Sequence, residues 1–195
     1  MVANIFFLPP ANVKQSSASL THLGNLRSTS HAGRANYRLS GSAVLPTIRR
    51  AHLEDAQCIA ALVTEAYTPY IARIGRKPAP MLDDYRQVVA DTDSFVLTDD
   101  SEIVGVLVMS REESELLLVN IAVSPRHTGR GLGKMLMTFC EQHAQSLGCQ
   151  AVRLYTHERM VENIEIYKKL GYQETHRATE EGFARVFMRK PLQVR

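Results

Sequence analysis

Residues 120–136 read Asn-Ile-Ala-Val-Ser-Pro-Arg-His-Thr-Gly-Arg-Gly-Leu-Gly-Lys-Met-Leu, which is the most informative pattern in the chain. The apolar run at residues 116–123 predicts a buried strand that stops at Pro125. Glycines alternate at positions 129, 131 and 133, and an apolar helical period follows at once. A strand, a glycine loop and a helix in this order leave backbone N–H groups unshielded at a helix N-terminus, where the dipole favours negative charge. We therefore expect the loop to bind a phosphate or a pyrophosphate.

Two better-known phosphate loops do not fit the spacing. A P-loop needs Gly-x-x-x-x-Gly-Lys followed by Ser or Thr, but Thr128 stands at the first glycine and Met135 at the hydroxyl. A dinucleotide loop needs Gly-x-Gly-x-x-Gly and an acidic residue at the end of the next strand. Here the spacing is Gly-x-Gly-x-Gly, and the strand predicted at residues 151–156 ends without an acid. Neither ATP nor NAD is favoured.

The segment resembles the coenzyme A loop of the GNAT family of N-acetyltransferases. That family's pattern, Gln/Arg-x-x-Gly-x-Gly/Ala after an Ala-Val-x-Pro strand end, falls on residues 122–125 and 128–133. A second element, Tyr-Lys-Lys-Leu-Gly-Tyr at residues 167–172, is similar to the family's Tyr-x-x-Leu-Gly-Phe/Tyr. Both motifs stand in the family's order, and the resemblance covers roughly residues 47–192.

The resemblance implies acetyl-CoA as the co-substrate and no metal. It places the pantetheine arm along the strand end and the pyrophosphate in the glycine loop. The residues that it implies in coenzyme A binding are Ile121, Ala122, Val123, Thr128, Gly129, Arg130, Gly131, Leu132, Gly133, Lys134 and Asn163.

The loop departs from the family pattern at Thr128, which replaces the usual Gln or Arg and carries no charge. The pyrophosphate would then depend more on backbone N–H groups. Arg126, Arg130 and Lys134 are the cations near enough in sequence to assist.

Two further departures bear on the reaction. Met160 stands where the family often has Asn, and Asn163, one turn later, is the candidate replacement. Leu118 stands where the histone-acetylating members have a glutamate base. Asn120 follows two residues later, so strict strand alternation predicts that it shares the face of Leu118, where it could hold a water.

Tyr167 is the implied general acid. Met160, Asn163, Ile164 and Tyr167 recur at the helical spacing i, i+3, i+4 and i+7. A phenol with a pKa of about 10 can protonate a thiolate with a reference pKa of about 8.5 only in concert with collapse of the intermediate. The alternative is a core tyrosine that only packs.

The amine base and the acceptor pocket remain open at the level of sequence. The candidate bases, which lie near predicted strand ends and helix starts, are Glu115, His157, Glu158, Glu162 and a water chain anchored by Asn120. The resemblance implies an acceptor pocket between the first two helices, formed by Tyr67, Tyr70, Arg73 and Arg76. Arg73 and Arg76 would share a helix face if that segment is helical, and could then bind an anionic group of the acceptor.

The predicted elements assemble into one α/β domain at residues 46–195. A strand at 47–50 and a helix from residue 52 precede a proline-rich segment at 69–81 and a short helix at 81–89. Strands follow at 94–97, 103–110 and 116–123, then a helix at 131–147, a strand at 151–156, a helix at 160–170 and strands at 172–176 and 183–189. The unit from 116 to 156 predicts a βαβ crossover and the earlier strands an antiparallel meander. The expected fold is a mixed, mostly antiparallel sheet with helices on both faces.

The net positive charge of the chain comes from the first 50 residues, which carry six cations and no acid. The remaining 145 residues hold 17 cations against 20 acids, so the pI of 8.8 does not argue for nucleic-acid binding. Residues 1–45 are rich in Ser and Arg and lack an apolar period. This composition fits a disordered tail, an early start codon or an organellar transit peptide.

Three cysteines give an odd count with no metal spacing. Cys58 and Cys140 fall on apolar faces of predicted helices, so both are expected in the core. Nothing indicates a disulfide framework, which fits a reducing compartment. We expect the cytoplasm, or an organellar matrix if residues 1–45 are a transit peptide.

The sequence therefore favours an acetyl-CoA-dependent N-acetyltransferase that acts on a primary amine, with a small molecule favoured over a protein. The expected assembly is a monomer or a homodimer, without a membrane or nucleic-acid partner. An alternative from a different class of protein is a sensor that binds coenzyme A and catalyses no reaction. The departures from the family pattern at Thr128, Met160 and Leu118 are consistent with this alternative.

We predict that removing residues 1–45 leaves the folded domain intact, because this segment lacks the apolar period that a core requires. A chain starting at Pro46 should keep its melting temperature and its affinity for acetyl-CoA. Thermal unfolding and calorimetric titration of both chains check this. A loss of more than about 1 kcal/mol of stability contradicts it, since that is too large for a detached tail.

Overall fold

The computed structural model describes residues 45–193, and the expectations for residues 1–44 lie outside the described residues. Short 3-10 turns at Leu53–Asp55, Ala79–Met81 and Pro125–His127 connect some of the elements. The elements are β1 (Thr47–Arg50), α1 (Ala56–Ile74), α2 (Tyr85–Asp91), β2 (Asp93–Asp99), β3 (Glu102–Glu112), β4 (Glu115–Val123), α3 (Leu132–Ser146), β5 (Ala151–His157), α4 (Val161–Lys169), β6 (Gln173–Glu180) and β7 (Phe183–Pro191).

The strands form one mixed sheet in the order β1-β2-β3-β4-β5-β7-β6. The pair β4–β5 is parallel and the other five pairs are antiparallel. The helix α3 links the two parallel strands, because such a pair needs a crossover connection. The expected α/β class, mixed sheet and βαβ unit are confirmed.

Helices cover both faces of the sheet. The α3-side cluster is the buried set that includes Leu107, Leu118, Ile121, Leu136 and Tyr167. On the opposite face, α1 and α2 pack on the middle strands. The buried residues there, which we call the α1-side cluster, include Ile59, Val63, Tyr67, Val106 and Val119.

The first helix is longer than the prolines suggested. Ile59, Leu62, Val63 and Ala66 form its buried stripe, as the spacing predicted. The helix then continues through Pro69 to Ile74, where Gly75 ends it at a φ of 85°. The proline-rich segment at 69–81, whose structure the sequence left open, is therefore helical up to residue 74.

The second helix begins later than expected. Asp84 caps it by accepting a hydrogen bond of 2.9 Å from the backbone N–H of Arg86. The apolar residues before it instead belong to the 3-10 turn at Ala79–Met81. The predicted start at residue 81 is wrong because a capping aspartate outweighs a short apolar run.

The strand β4 is bent, and it parts from β5. Val108 of β3 lies opposite Asn120, but its neighbour Met109 lies opposite Leu118, so Val119 is an extra residue in β4. The parallel pairing with β5 extends only from Glu115 to Leu117. Residues 118–123 therefore have β3 as a strand partner on one edge and a gap on the other.

The extra residue turns Asn120 to the face opposite Leu118. The hydroxyl of Tyr67 donates to Asn120 Oδ1 at 2.7 Å, and Asn120 Nδ2 donates to the hydroxyl of Tyr85 at 2.9 Å. Tyr85 in turn donates to the carbonyl of Pro80 at 3.0 Å. The expectation that Asn120 shares a face with Leu118 is wrong, because strict alternation fails across a bulge.

We predict that Asn120→Ala lowers the free energy of unfolding by about 2–3 kcal/mol, because it removes two buried hydrogen bonds between the amide and tyrosine hydroxyls. Denaturant titration measures the change. Tyr70→Phe, one turn after Tyr67 in α1, is the control and should cost under about 0.5 kcal/mol. Equal effects of the two variants would show that the bulge does not depend on this amide.

Candidate active site

The gap between β4 and β5 opens at their carboxyl ends. Tyr70 and Ile74 belong to α1, on the opposite face of the sheet, yet they pack against the α3-side cluster. That cluster contains Tyr167 and Met160 of the other face. Side chains from both faces therefore meet at the opened part of the sheet, where β4 offers a free backbone edge.

Tyr167 supplies an unused polar group to this region. Its side chain is fully buried, on the face of α4 that also buries Asn163 and Ile164. The hydroxyl has no hydrogen-bond partner, although such a group costs about 1–3 kcal/mol when it is left unsatisfied. Burial raises the pKa of Tyr167 well above its usual value, with smaller effects from Cys140 and Tyr70. The phenol is thus a neutral donor that awaits an acceptor.

A thioether occupies the place of the family's frequent Asn. Met160 is fully buried immediately before α4. Its sulfur receives weak hydrogen bonds from Thr156 Oγ1 at 3.6 Å and Asn163 Nδ2 at 3.7 Å. Asn163, expected to bind coenzyme A, points its amide nitrogen at this sulfur.

The glycine loop presents bare backbone. Gly129 and Gly131 have φ angles of 80° and 77°, and a Cβ on either would meet nothing within 4 Å. Gly131 precedes α3 and offers no side-chain cap, so the first N–H groups of this 15-residue helix lack a capping partner. The hydroxyl of Thr128 is turned back to the carbonyl of Pro125 at 3.0 Å. Open space above free N–H groups suits an anion.

The three cations near the loop differ in their contacts. Arg130 is paired with Asp99 at 2.6 Å. Arg126 is held more loosely, at 3.4 Å from Glu65 and 3.6 Å from Glu102. Among residues 45–193, Lys134 has no carboxylate within 4.0 Å. It sits in the first turn of α3 and is therefore the cation free to meet a ligand.

Two of the candidate bases are already engaged. Glu115 binds Arg153 and Arg189, each at 2.8 Å, at the end of β4 where the strands are still paired. This placement removes Glu115 from the gap. Glu162 accepts two hydrogen bonds from Arg73, and its own backbone N–H and Arg73 lower its pKa. Glu158 is exposed next to the end of β5.

His157 ends β5 at the gap. Burial lowers its pKa, so the ring is neutral near pH 7. Its Nδ1 accepts a hydrogen bond of 3.1 Å from the backbone N–H of Arg159, which assigns the ring proton to Nε2. The basic lone pair is therefore occupied in this structure.

The expected acceptor residues separate into two environments. Tyr67 is fully buried, and its hydroxyl faces Asn120 rather than an open pocket. Tyr70 is half-buried at the gap, and burial raises its pKa. Arg73 lies in the last turn of α1 at 5.6 Å from the Tyr70 ring.

Arg76 lies beyond the end of α1. The helix face that it would share with Arg73 if the segment were helical is therefore not formed. Gly75 in the left-handed conformation turns the chain between them. The guanidinium of Arg76 stacks at 3.9 Å over Phe183 and donates to the carbonyl of Glu181 at 3.3 Å. It therefore ties the end of α1 to the β6–β7 turn.

Arg185 is a buried cation that the sequence reasoning missed. It is 1% exposed, lies 4.6 Å from the Tyr155 ring, and donates to Glu180 at 2.5 Å. In β7 it pairs with His157 of β5. The one signal in the sequence for this buried cation was its position between apolar residues of a predicted strand. Arg is rarely buried unless it is paired, so such a position indicates a partner.

Of the three cysteines, Cys140 and Cys149 are buried, and burial raises the pKa of the Cys140 thiol. Cys58 is exposed, so its predicted core position is wrong. It lies one residue before the stripe that starts at Ile59, about 100° around the helix.

No group of three or more His, Cys, Asp or Glu side chains within residues 45–193 is placed to hold a metal ion. In the same part of the chain, no helix combines the length and apolarity needed to cross a membrane.

The fold matches solved acetyltransferases. The ribosomal-protein-S18-alanine N-acetyltransferase of Escherichia coli is 21% identical with a TM-score of 0.58, over 76% of this chain and 94% of that chain. The PaiA N-acetyltransferase of Thermoplasma acidophilum, solved with coenzyme A, is 18% identical with a TM-score of 0.63, over 76% and 99%. The putative acetyltransferase YncA of Salmonella typhimurium, solved with acetyl-CoA, is 19% identical with a TM-score of 0.60, over 76% and 94%. These similarities establish the fold of an N-acetyltransferase.

Residues 59–172, more than half of the chain, match the family model described as acetyltransferase (GNAT) family. The chain belongs to this family. It is an acyltransferase that takes the acetyl group of acetyl-CoA, and the family's acceptors are amines. No curated protein matches the chain significantly in sequence.

We predict that Gly131→Ala weakens coenzyme A binding by about tenfold or more, because the new methyl group enters the open space above the loop. Gly148→Ala is the matched control at the other end of α3: its φ is 72° and its Cβ would also meet nothing. Both variants should lose a similar stability of about 1 kcal/mol, since each strains one left-handed residue. Calorimetric titration showing equal affinities would remove the loop from the binding site.

Proposed function

We propose that this protein transfers the acetyl group of acetyl-CoA to a primary amine by direct attack within the gap between β4 and β5. The observation that carries the proposal is the buried, unpartnered hydroxyl of Tyr167 in the cluster that borders this gap. A donor kept dry and unused in the free protein is suited to a group that appears only during the reaction.

The cofactor side is supported by two free backbone surfaces. The pyrophosphate is proposed to bind the N–H groups at Gly131, Leu132 and Gly133, with Lys134 as the cation. The pantetheine arm is proposed to run along the free edge of β4 at residues 121–123. There an N–H facing the thioester oxygen stabilises the developing negative charge, a contact worth about 2.7–4 kcal/mol in known cases.

The proposed reaction has two stages, attack of the amine on the thioester and collapse of the intermediate. The amine nitrogen attacks the thioester carbon, and the carbonyl oxygen becomes an oxyanion. Collapse of that intermediate breaks the C–S bond, and Tyr167 gives its proton to the leaving sulfur. The nitrogen gives up one proton, which restores the phenol through solvent. The raised pKa of Tyr167 keeps it protonated until the thiolate forms.

We assign the amine's proton to water in the gap. Glu115 lies at the far end of β4, and Glu162 is held by Arg73. His157 has its basic nitrogen occupied. The amide of Asn120 is used on both sides by tyrosine hydroxyls, so its proposed role is to hold the bulge that opens the gap.

The proposed acceptor is a small amine that enters beside Tyr70. Arg73 is neutralised by Glu162, whereas the contacts of Arg76 are a ring and a carbonyl. An anionic group on the acceptor would therefore meet Arg76 more readily than Arg73. We also propose a monomer or homodimer in the cytoplasm. The free cysteines of the described chain support the reducing character of that compartment.

The test is release of free thiol from acetyl-CoA in a panel of small amines and peptides. Acetylation of one class identifies the acceptor. Binding of acetyl-CoA without release from any amine would favour the second candidate, a non-catalytic acyl-CoA sensor. The observation behind that candidate is Met160, whose thioether fills the place of the family's frequent Asn.

We predict that Tyr167→Phe lowers turnover by about 10²–10⁴-fold at nearly constant affinity for acetyl-CoA, because the ring remains and the acid is lost. Single-turnover kinetics and calorimetry measure the two quantities. In the parent enzyme, Tyr167 should produce no fall in rate on the alkaline side below about pH 10, since its pKa is raised.

The control for this variant is Tyr172→Phe, because the ring of Tyr172 meets that of Tyr167 edge-on at 5.9 Å. It should retain most of the turnover. A Tyr167→Phe enzyme that keeps more than about a third of the parent rate, when chemistry limits, would exclude the tyrosine as the acid.

A further inference from the structure

Arg130 has an unusual place in the coenzyme A loop. It stands between two glycines with positive φ angles, Gly129 and Gly131, in the segment that precedes α3. Its guanidinium makes a 2.6 Å hydrogen-bonded ion pair with Asp99, at the end of β2. The Asp99 side chain is 12% exposed, so this pair is better shielded from water than a typical surface pair.

The anchor for Arg130 is rigid. Asp99 pairs with Glu102 across the β2–β3 turn, and the two residues between them have φ angles of 46° and 70°. Two positive φ angles define the tight hairpin turn that matches the twist of its strands. The carboxylate of Asp99 is therefore presented from a fixed point.

A second, looser set of contacts lies on the other side of the loop. The backbone N–H of Ser124 donates to the carbonyl of Val104 at 2.8 Å. Arg126 lies 3.6 Å from Glu102, at the start of β3. The β2–β3 hairpin thus contacts the loop both before and between its glycines.

We propose that Arg130 is a positioning residue, and that its pair with Asp99 holds the glycine loop in the form that accepts the pyrophosphate. This inference rests on the proposed function. Lys134, which has no carboxylate partner among residues 45–193, makes the cationic contact that the family's basic residue would make at Thr128. Arg130 thus positions the loop, and Lys134 contacts the pyrophosphate.

If only electrostatic repulsion mattered, removing the Asp99 carboxylate would strengthen coenzyme A binding, which is the opposite of what the positioning role predicts. An acid beside an anion site repels the ligand, and it would compete for Arg130 if Arg130 bound the pyrophosphate directly. Removing that acid should then tighten binding. If the pair positions the loop, removing the acid should loosen the loop and weaken binding.

The first experiment is calorimetric titration of Asp99→Asn with coenzyme A. The expected result is a weakening of about fivefold, the effect of losing a pair worth about 1 kcal/mol. Unchanged or tighter binding overturns the proposal. Glu102→Gln is the matched control: its pair with Arg126 is longer and exposed, and its affinity should stay within about twofold.

The second experiment exchanges the charges. Asp99→Arg and Arg130→Asp should each weaken binding, and the double variant should recover most of the parent affinity. A direct ligand role for Arg130 predicts no recovery, because the double variant places a carboxylate in the loop. Lys134→Gln should weaken binding by about tenfold in every background.

A readout without ligand separates this inference from the proposed function. Hydrogen exchange of residues 125–135 in the free protein should speed up in Asp99→Asn and return to the parent rate in the exchanged pair. A parent protein that fails to bind coenzyme A refutes the proposed function, and this measurement still tests the anchor. Equal exchange in parent and Asp99→Asn, with both folded by thermal unfolding, refutes the anchor.

Discussion

The site depends on one constraint: β4 cannot remain hydrogen-bonded to both of its neighbours. The extra residue Val119 bends the strand, and pairing with β5 stops at Leu117. Beyond that point the sheet has an internal edge instead of a ladder, a feature that proteins normally avoid or cover. Here the edge lies between two packed faces, where a molecule rather than another strand can satisfy it.

Two buried polar groups near this bend, the amide of Asn120 and the hydroxyl of Tyr167, have different roles. The bend sends Asn120 to the α1 side, where tyrosine hydroxyls hydrogen-bond to both the oxygen and the nitrogen of the amide. On the other side, Tyr167 keeps a hydroxyl without a partner. One buried polar group therefore stabilises the fold, while the other retains its capacity to donate. The first of these follows from the register of a single strand, because the extra residue in β4 sets the face of Asn120.

Much of this fold was predictable from local patterns. The strand, the glycine loop and the helix at residues 116–147 follow from the apolar period and the glycine spacing, and the buried stripe of α1 follows from its apolar period. The face of Asn120 was not predictable, because a bulge is set by how two strands pair and leaves no mark in the apolar pattern. The same limit applied to the site, since Asp99 and Arg130 are 31 residues apart and nothing local couples them. Cys58 was misplaced for a simpler reason, a helical stripe read one residue too wide.

The short junction between β4 and β5 has a consequence for how the protein holds together. By hydrogen bonding, the sheet consists of a four-stranded part and a three-stranded part, joined through three residue pairs. On one face the α3-side cluster links the two parts, while the α1-side cluster draws its strand residues from β2, β3 and β4. A co-substrate lying in the gap would touch both parts and bind only when they are aligned, so its binding energy adds to their cohesion. The free energy of unfolding of the enzyme would then rise with the concentration of the acyl donor.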